Sequence, residues 1–327
     1  MCDLSIVIVS WNVRDLLQQC LHSIFASLRP ANSPTCEVIV VDNVSTDSTV
    51  EMVKAEFPHV HLIVNKENLG YPGANNQGLA IAQGRYQMIL NPDTEIIGEA
   101  LATMVAYADT NPDVGVVGPQ LLWPKDADGD SRVQSSRRRF PTLTTALFES
   151  TWLQPYAPRR VLERYYVKDQ PDDATLDVDW VKGAAVMARK EAIEQVGLMD
   201  DEYFMYSEEL DWCKRFKDAG WRVVYLPAAQ IVHHEGKSSE QVVTSRHIHF
   251  HTSKVRYFRK HHGRLTGEML RWFLLANYVW QLGLEGAKWL IGHKRPLRAE
   301  RVSAYRQVLR SRLLPAKIPD RKPETGD

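Results

Sequence analysis

The sequence predicts an α/β fold: a mostly parallel sheet covered by helices on both faces, followed by a basic helical extension. Three observations predict it. Short, nearly continuous apolar runs recur through the first third of the chain, as expected of strands buried on both faces. Helically spaced apolar residues separate them. Regular patterning fades between Trp123 and about Asp177, then returns and gives way to a helical, Lys/Arg-rich stretch from about Glu240.

Strands are expected at Leu4–Val9, Glu37–Val41, Val60–Val64 and Tyr86–Leu90. Between the first two, Val13, Leu16, Leu17, Cys20, Leu21, Ile24 and Leu28 mark a helix. A second helix is expected after the turn Asp42–Asp47, a third from about Pro72 to Gln83, and a fourth over 98–110. Gly70 and Gly73 flank Tyr71-Pro72 and read as a tight loop entering the third helix. Val114–Val117 reads as a strand, and 123–177 as a long connection with short helices. Regularity resumes with Val178–Arg189, a helix at about Ser207–Ala219 and a strand at Arg222–Leu226. Strand–helix alternation implies right-handed crossovers and a largely parallel sheet. Residues 1–122 and 123–240 are read as two halves of one domain, and 241–327 as the extension.

Composition narrows the function. The 327 residues are 44 % hydrophobic and 24 % charged, an ordinary globular balance. Lys+Arg and Asp+Glu are both 40, so no global field selects nucleic acid. The four cysteines have no metal-like spacing and suggest no disulfide framework. The amino terminus enters a strand directly, without a basic region or cleavage site, so a cytoplasmic location is expected. No G-x-G-x-x-G follows the first strand and no G-x-x-x-x-G-K-[ST] is present, which disfavours dinucleotide dehydrogenases and P-loop enzymes.

Ligands of such sheets sit beyond the carboxyl ends of the strands. Those ends carry Ser10-Trp11-Asn12, Asp42-Asn43 and Asn91-Pro92-Asp93. Trp11 offers a flat apolar surface for a base, and Asp42 polar groups for its edge. Asp93, with Asn91, offers the oxygen ligands that Mg²⁺ or Mn²⁺ prefers beside a diphosphate. Asn-Pro is also a turn signal, and the tripeptide recurs at Asn111-Pro112-Asp113 after a helix; strand-end position distinguishes the first copy. A second cluster is Glu208, Glu209 and Asp211 at the start of a helix, with Ser207 as N-cap. The helix dipole alone accounts for acids there, yet one carboxylate on the apolar side is also suited to removing a proton from a hydroxyl. His233 and His234 follow the last strand and are either a ligand pair or structural. His247, His249 and His251 read as solvated.

Taken in order, these strand ends resemble the family 2 glycosyltransferases of GT-A fold, over about residues 4–240. The pieces are Ile6-Val7-Ile8-Val9-Ser10-Trp11-Asn12, Val40-Val41-Asp42-Asn43, Asn68-Leu69-Gly70-Tyr71 leading to Asn75-Asn76-Gln77-Gly78, and Leu90-Asn91-Pro92-Asp93-Thr94. Trp180-Val181-Lys182-Gly183-Ala184, Met205 to Arg215, and Pro227 through His233 follow. The resemblance is closest to a rhamnosyltransferase-like branch of bacterial cell-envelope enzymes. It implies inverting transfer from a TDP- or UDP-sugar, with divalent Mg²⁺ or Mn²⁺, to a hydroxyl of a glycan or polyprenyl-linked acceptor. On that basis 1–122 would bind the donor and 123–240 the acceptor.

Carried over by residue, the resemblance puts Ser10 and Asp42 at the nucleoside, and Trp11, Asn12, Asn43, Asn68, Gly70 and Asn75 in the donor set. Asn91 and Asp93 stand at the D-x-D position, Gly183 and Ala184 beside the sugar, and His233 at the diphosphate or metal. Glu209 falls at the general base, with Glu208 as the alternative and Asp211 beside them. Asn91 departs from the first acid of D-x-D, leaving Asp93 as the main carboxylate. Glu209 stands where Asp is more frequent, one methylene longer. Two rivals are a nucleotidyltransferase, which would want a Gly- and basic-rich loop after the first strand, and a non-catalytic sugar-binding subunit, against which the retained acids speak.

Met269–Ile291 is rich in tryptophan and leucine. Its uncharged run from Trp272 to Leu284 is shorter than the about 20 residues needed to span a bilayer. Residues 265–292 therefore suit a helix lying on a membrane surface, peripheral to the cytoplasmic face. The alternative is a helix packed on the catalytic domain or at a homodimer interface.

Overall fold

A computed structural model describes residues 2–124, 131–149, 151–235, 243–292 and 294–314. The first half is β1 (Leu4–Ser10), α1 (Arg14–Ser27), β2 (Cys36–Asp42), α2 (Thr49–Glu56), β3 (His61–Val64), α3 (Gly70–Ile81), β4 (Tyr86–Leu90), β5 (Thr94–Ile96), α4 (Ala100–Thr110) and β6 (Val114–Leu122). The connection holds β7 (Arg137–Arg138), α5 (Leu143–Phe148) and α6 (Arg159–Tyr165). Then come β8 (Leu176–Val178), β9 (Trp180–Val181), β10 (Ala185–Arg189), α7 (Lys190–Val196), α8 (Glu208–Asp218) and β11 (Arg222–His233). The chain continues as α9 (Val243–His262), α10 (Arg264–Leu290) and α11 (Arg295–Ser311).

The main sheet runs β3-β2-β1-β4-β10-β6-β11-β5, with β8 paired to β11. The stretch β3-β2-β1-β4 is parallel throughout, β10 is antiparallel to both its neighbours, and β6 and β11 pair in parallel. Alternation explains why the strands read as continuous apolar runs. Leu4, Ile6 and Ile8 pack into a core with Leu17, Leu21, Met52 and Met104 from α1, α2 and α4. Val7 and Val9 face the opposite core, with Leu79, Ile193, Trp212 and Phe216 from α3, α7 and α8. On that second side α3 lies so close to β1 that a Cβ on Gly78 would meet Val7 Cγ1 at 2.4 Å.

Two expectations need revision. The strand foreseen at Arg222–Leu226 continues to His233: its register with β6 shifts between Leu226 and Gln230, then pairing resumes and extends to β5. Pro227, which lacks an N–H, sits in that irregularity and interrupts the sequence pattern without ending the strand. The histidines of α9 are not uniformly solvated. His251 is buried, edge-on to Tyr278, and His249 stacks on Phe204 at 4.4 Å. Of the three read as solvated, His247 alone is exposed, and it lies 3.2 Å from the Tyr278 hydroxyl.

The extension forms a third core. Leu270, Leu274 and Tyr278 of α10 pack with Tyr257 and Phe258 of α9 and Val308 of α11. Helix α10 is apolar on both faces but covered on one: Trp272, Val279 and Trp280 stay more than half exposed. Among the described residues no helix is long and apolar enough to cross a membrane. The basic tail beyond residue 314 and the expected start of the extension at about Glu240 lie outside the described residues.

Candidate active site

The carboxyl ends of β1, β2 and β4 open into a cavity of about 390 Å³, which α9 closes from the far side. Trp11, Asn43, Asn68, Gly70, Asn91, Asp93 and His233 line it, seven of the residues singled out from sequence. Its shape is set by the loop before α3. Asn43 Oδ1 accepts from the Leu69 amide and its Nδ2 donates to Asn68 Oδ1, which also accepts from Gly70 N. Gly70 has φ +72°, and a Cβ there would lie 2.5 Å from the Phe204 carbonyl, so only glycine fits.

The other donor-set residues lie behind this wall. Ser10 and Asp42 are register partners on β1 and β2, and both are buried. Among the described residues Ser10 Oγ and Asp42 Oδ1 have no hydrogen-bond partner, while Asp42 Oδ2 accepts from Ser45 N. Asn12 Oδ1 accepts from Thr46, pinning the turn after β2. Asn75 is fully buried and donates to the Tyr71 carbonyl. Ala184 is buried and accepts from Asn91 N.

Asp93 follows β4 and His233 ends β11, so the β11–β5 pairing brings them together. Their nearest atoms, Asp93 Oδ1 and His233 Nε2, are 3.4 Å apart. His233 Nδ1 stands 3.0 Å from Gln134 Oε1, and Gln134 Nε2 donates to the His233 carbonyl. With the proton on Nδ1, the Nε2 lone pair points toward Asp93. Two ligand atoms each about 2.1 Å from one cation are roughly 3.0–3.4 Å apart, so this pair fits a divalent ion. Among the described residues no third Asp, Glu, His or Cys joins them to make a larger cluster. Two protein ligands suffice where substrate phosphates and water complete the shell. Asn91 Oδ1 instead lies 2.9 Å from the Tyr71 hydroxyl, which is also 3.0 Å from the Gly183 carbonyl. His234 turns away and pairs with Glu95.

A second cavity of about 290 Å³ adjoins the first, sharing Lys182, Tyr206, Glu235 and Arg246. Glu209 lines it. The two residues before Glu208, Tyr206 and Ser207, both have left-handed backbone (φ 71° and 65°), an uncommon pair for non-glycine residues. Ser207 occupies the N-cap position, but its side chain makes no capping hydrogen bond. The turn does place both glutamates at the head of α8.

Their environments differ. Glu208 is buried and lines neither cavity, although among the described residues Oε2 of both glutamates lacks a hydrogen-bond partner; burial and then the neighbouring Glu209 push the Glu208 carboxyl well above the usual range. Burial also raises Glu209, opposed by the amides of Glu209, Gly183 and Leu210 and by Lys182. Gly183 underlies it, since a Cβ there would touch the Glu209 side chain at 3.4 Å. Asp211 also lines neither cavity: one oxygen meets Arg215 at 3.0 Å, the other His261 at 2.7 Å and Lys260 at 2.8 Å. Burial alone would raise its carboxyl, but His261, Lys260 and Arg215 hold it down at about 2. It ties α8 to α9.

Sequence reading passed over Gln134, in the weakly patterned connection, and Arg246, Phe250 and Lys254 on α9. No local motif marks them; the aromatic-and-basic composition around Tyr165-Tyr166 and of α9 was the available signal.

The comparisons agree with this architecture. The model for glycosyl transferase family 2 matches residues 5–168. N-acetylglucosaminyl-diphospho-decaprenol L-rhamnosyltransferase of Mycobacterium tuberculosis is 29 % identical over 268 residues, covering 79 % of this chain and 85 % of that protein. dTDP-rhamnosyl transferase RfbF of Shigella flexneri is 26 % identical over 242 residues, covering 73 % and 72 %. Among solved structures, the mannosyltransferase PcManGT from Pyrobaculum calidifontis, in complex with GDP-Man and Mn²⁺, superposes with a TM-score of 0.55 at 18 % identity, over 95 % of this chain and 86 % of that one. That likeness shows the GT-A fold. With that family model matching half of the chain, from β1 into the connection, this chain belongs to glycosyl transferase family 2.

Proposed function

We propose that this glycosyltransferase moves a sugar, with rhamnose the first candidate, from a TDP- or UDP-sugar to a hydroxyl of a cell-envelope glycan or polyprenyl-linked acceptor, with inversion. The observation that carries this is the adjacency of two cavities, one with the Asp93–His233 pair and one with Glu209. The names of the mycobacterial and Shigella relatives support rhamnose and a lipid-linked acceptor.

In this reading the nucleoside stacks on Trp11, and Ser10 and Asp42, buried behind the cavity wall, support that surface from beneath. Asp93 and His233 would hold Mg²⁺ or Mn²⁺, with Asn91 beside them; the cation neutralises charge growing on the departing diphosphate. Glu209 accepts the proton of the acceptor hydroxyl. As it does so, the hydroxyl oxygen bonds to the anomeric carbon while the bond to the diphosphate oxygen breaks. Lys182, at the junction, adds positive charge near the reacting groups and favours an ionised Glu209. Glu208 stays protonated beside it, which spares the pair mutual repulsion.

The exposed face of α10 suits an anionic lipid surface. Arg295 lies over the exposed Trp289 ring at 5.6 Å, a cation suited to phosphate headgroups, whereas Arg271, over Trp272 at 4.6 Å, is paired with Glu268. A lipid-linked acceptor would be met there.

The reading is tested by screening UDP- and TDP-sugars for thermal stabilisation with Mn²⁺ present, then determining the anomeric configuration of the product by NMR. Stabilisation by a TDP- or UDP-sugar and a product of inverted configuration are expected. Retention of configuration would overturn the direct displacement.

A further inference from the structure

The second cavity holds more chemistry than a general base requires. Three consecutive arginines cross its wall at β7 and just beyond. Arg137 is paired with Asp172 at 2.8 Å and Arg139 with Asp179 at 3.8 Å. Arg138, the one that lines the cavity, has no carboxylate within ion-pair distance among the described residues. Its guanidinium lies over the rings of Tyr166 at 4.5 Å, and of Tyr165 and Trp180 at 5.9 Å each. Nη1 is fixed by Ser135 Oγ at 2.7 Å and the Arg137 carbonyl at 2.9 Å.

Such an arginine is rigid, partly withdrawn from water and without an ion pair among the described residues. Burial pushes its pKa down, and Tyr165, Tyr166, Glu149 and Glu235 oppose this only in part. Its fork geometry matches phosphate oxygens. Lys254 lines the same cavity, although Glu149 engages it, and Arg246 stands where the two cavities meet. The aromatic rings around Arg138 offer flat apolar faces of the kind that pack against the C–H face of a pyranose.

We infer that this cavity is the acceptor subsite and that Arg138 binds a phosphate carried by the acceptor saccharide. The inference rests on the function proposed above and adds the residue and cavity that would recognise the acceptor's phosphate. Because Glu209 and Arg138 line one cavity of about 290 Å³, the phosphate belongs on the sugar that presents the attacking hydroxyl, or directly next to it. A neutral glycan would leave Arg138 without a direct ion pair, since the cavity's Glu149 and Glu235 act on it only from beyond ion-pair distance.

The test uses two probes, a short-chain alkyl diphosphate ester of N-acetylglucosamine and the matching uncharged alkyl N-acetylglucosaminide. Their binding to the full chain is measured calorimetrically with Mn²⁺ and saturating TDP or UDP, whose own affinity is recorded separately. The diphosphate ester is expected to bind at least about tenfold more tightly, as a charge-assisted contact implies. Arg138→Gln is expected to abolish that preference while leaving nucleotide affinity unchanged. Equal binding of the two probes by the unaltered protein would overturn the inference without any variant, as would a preference that survives Arg138→Gln. Failure of TDP and UDP to bind would instead strike the proposed donor site, so the two readings fail separately.

Discussion

His233 Nε2 stands 3.4 Å from the Asp93 carboxylate because Gln134 holds the opposite ring nitrogen at 3.0 Å. A buried residue from the irregular connection thus orients one residue of a pair drawn from two different strand ends.

A first prediction follows from that geometry. Gln134→Leu removes the acceptor that places the proton on Nδ1, and Mn²⁺ affinity measured by calorimetry with nucleotide diphosphate present should fall about 10- to 100-fold. Asp93→Ala should abolish metal-dependent donor turnover. Unchanged Mn²⁺ affinity in both variants would remove the metal from this site.

The paired glutamates predict a pH dependence. Burial raises Glu209, and a base acts only when deprotonated, so transfer is lost as pH falls through a pKa above the ordinary glutamate range. Glu208→Gln mimics the protonated neighbour and removes a competing site for the proton. The acid limb of kcat should therefore stay in place or move to lower pH, with the protein still folded. A shift to higher pH would contradict the assignment of Glu209 as base.

Asp211 predicts a stability profile. Its side chain is fully buried and its carboxyl sits at about 2, below the ordinary aspartate value of about 3.9. A depressed acid contributes stability that is present above its unfolded pKa and lost as pH falls through the folded one. Here that window runs from about pH 4 down to about pH 2, and the contribution is about 2 kcal/mol. Asp211→Asn should lower Tm at neutral pH and flatten the acid limb of a denaturation series. Equal acid sensitivity in both proteins would show that the Arg215–Lys260–His261 cluster contributes nothing net.

The open face of α10 predicts lipid selectivity. The protein should sediment with phosphatidylglycerol vesicles and not with phosphatidylcholine vesicles, and the double change Trp272→Ser, Trp280→Ser should release it. Equal sedimentation with and without those tryptophans would assign the face to another partner.

Much of the donor half was legible because its signals are local. β1, β2 and β4 announce themselves as apolar runs, and their ends necessarily meet at one edge of the sheet. Asp93 could therefore be separated from the identical tripeptide at 111–113, which follows α4. Legibility ended where position depends on distant packing. Ser10 and Asp42 lie behind the cavity wall because the adjoining turns fold over them, which their residue types do not reveal. Asp211 shares a helical turn with Glu208 but is captured by α9, whose place against α8 no spacing encodes. Ser207 has the composition of a cap, yet the left-handed turn at Tyr206-Ser207 withholds its side chain from that role. The acceptor-side residues come from short elements and from α9, which meet only in the folded chain.

The account turns on Glu209, and the most direct measurement compares Glu209→Gln with the unaltered protein for donor binding and for transfer. Nucleotide-sugar affinity should be preserved while kcat for transfer falls by about 10²- to 10⁴-fold, the range expected for removal of a general base. Full transfer activity in Glu209→Gln would contradict the central claim, because the hydroxyl would then be losing its proton to another group.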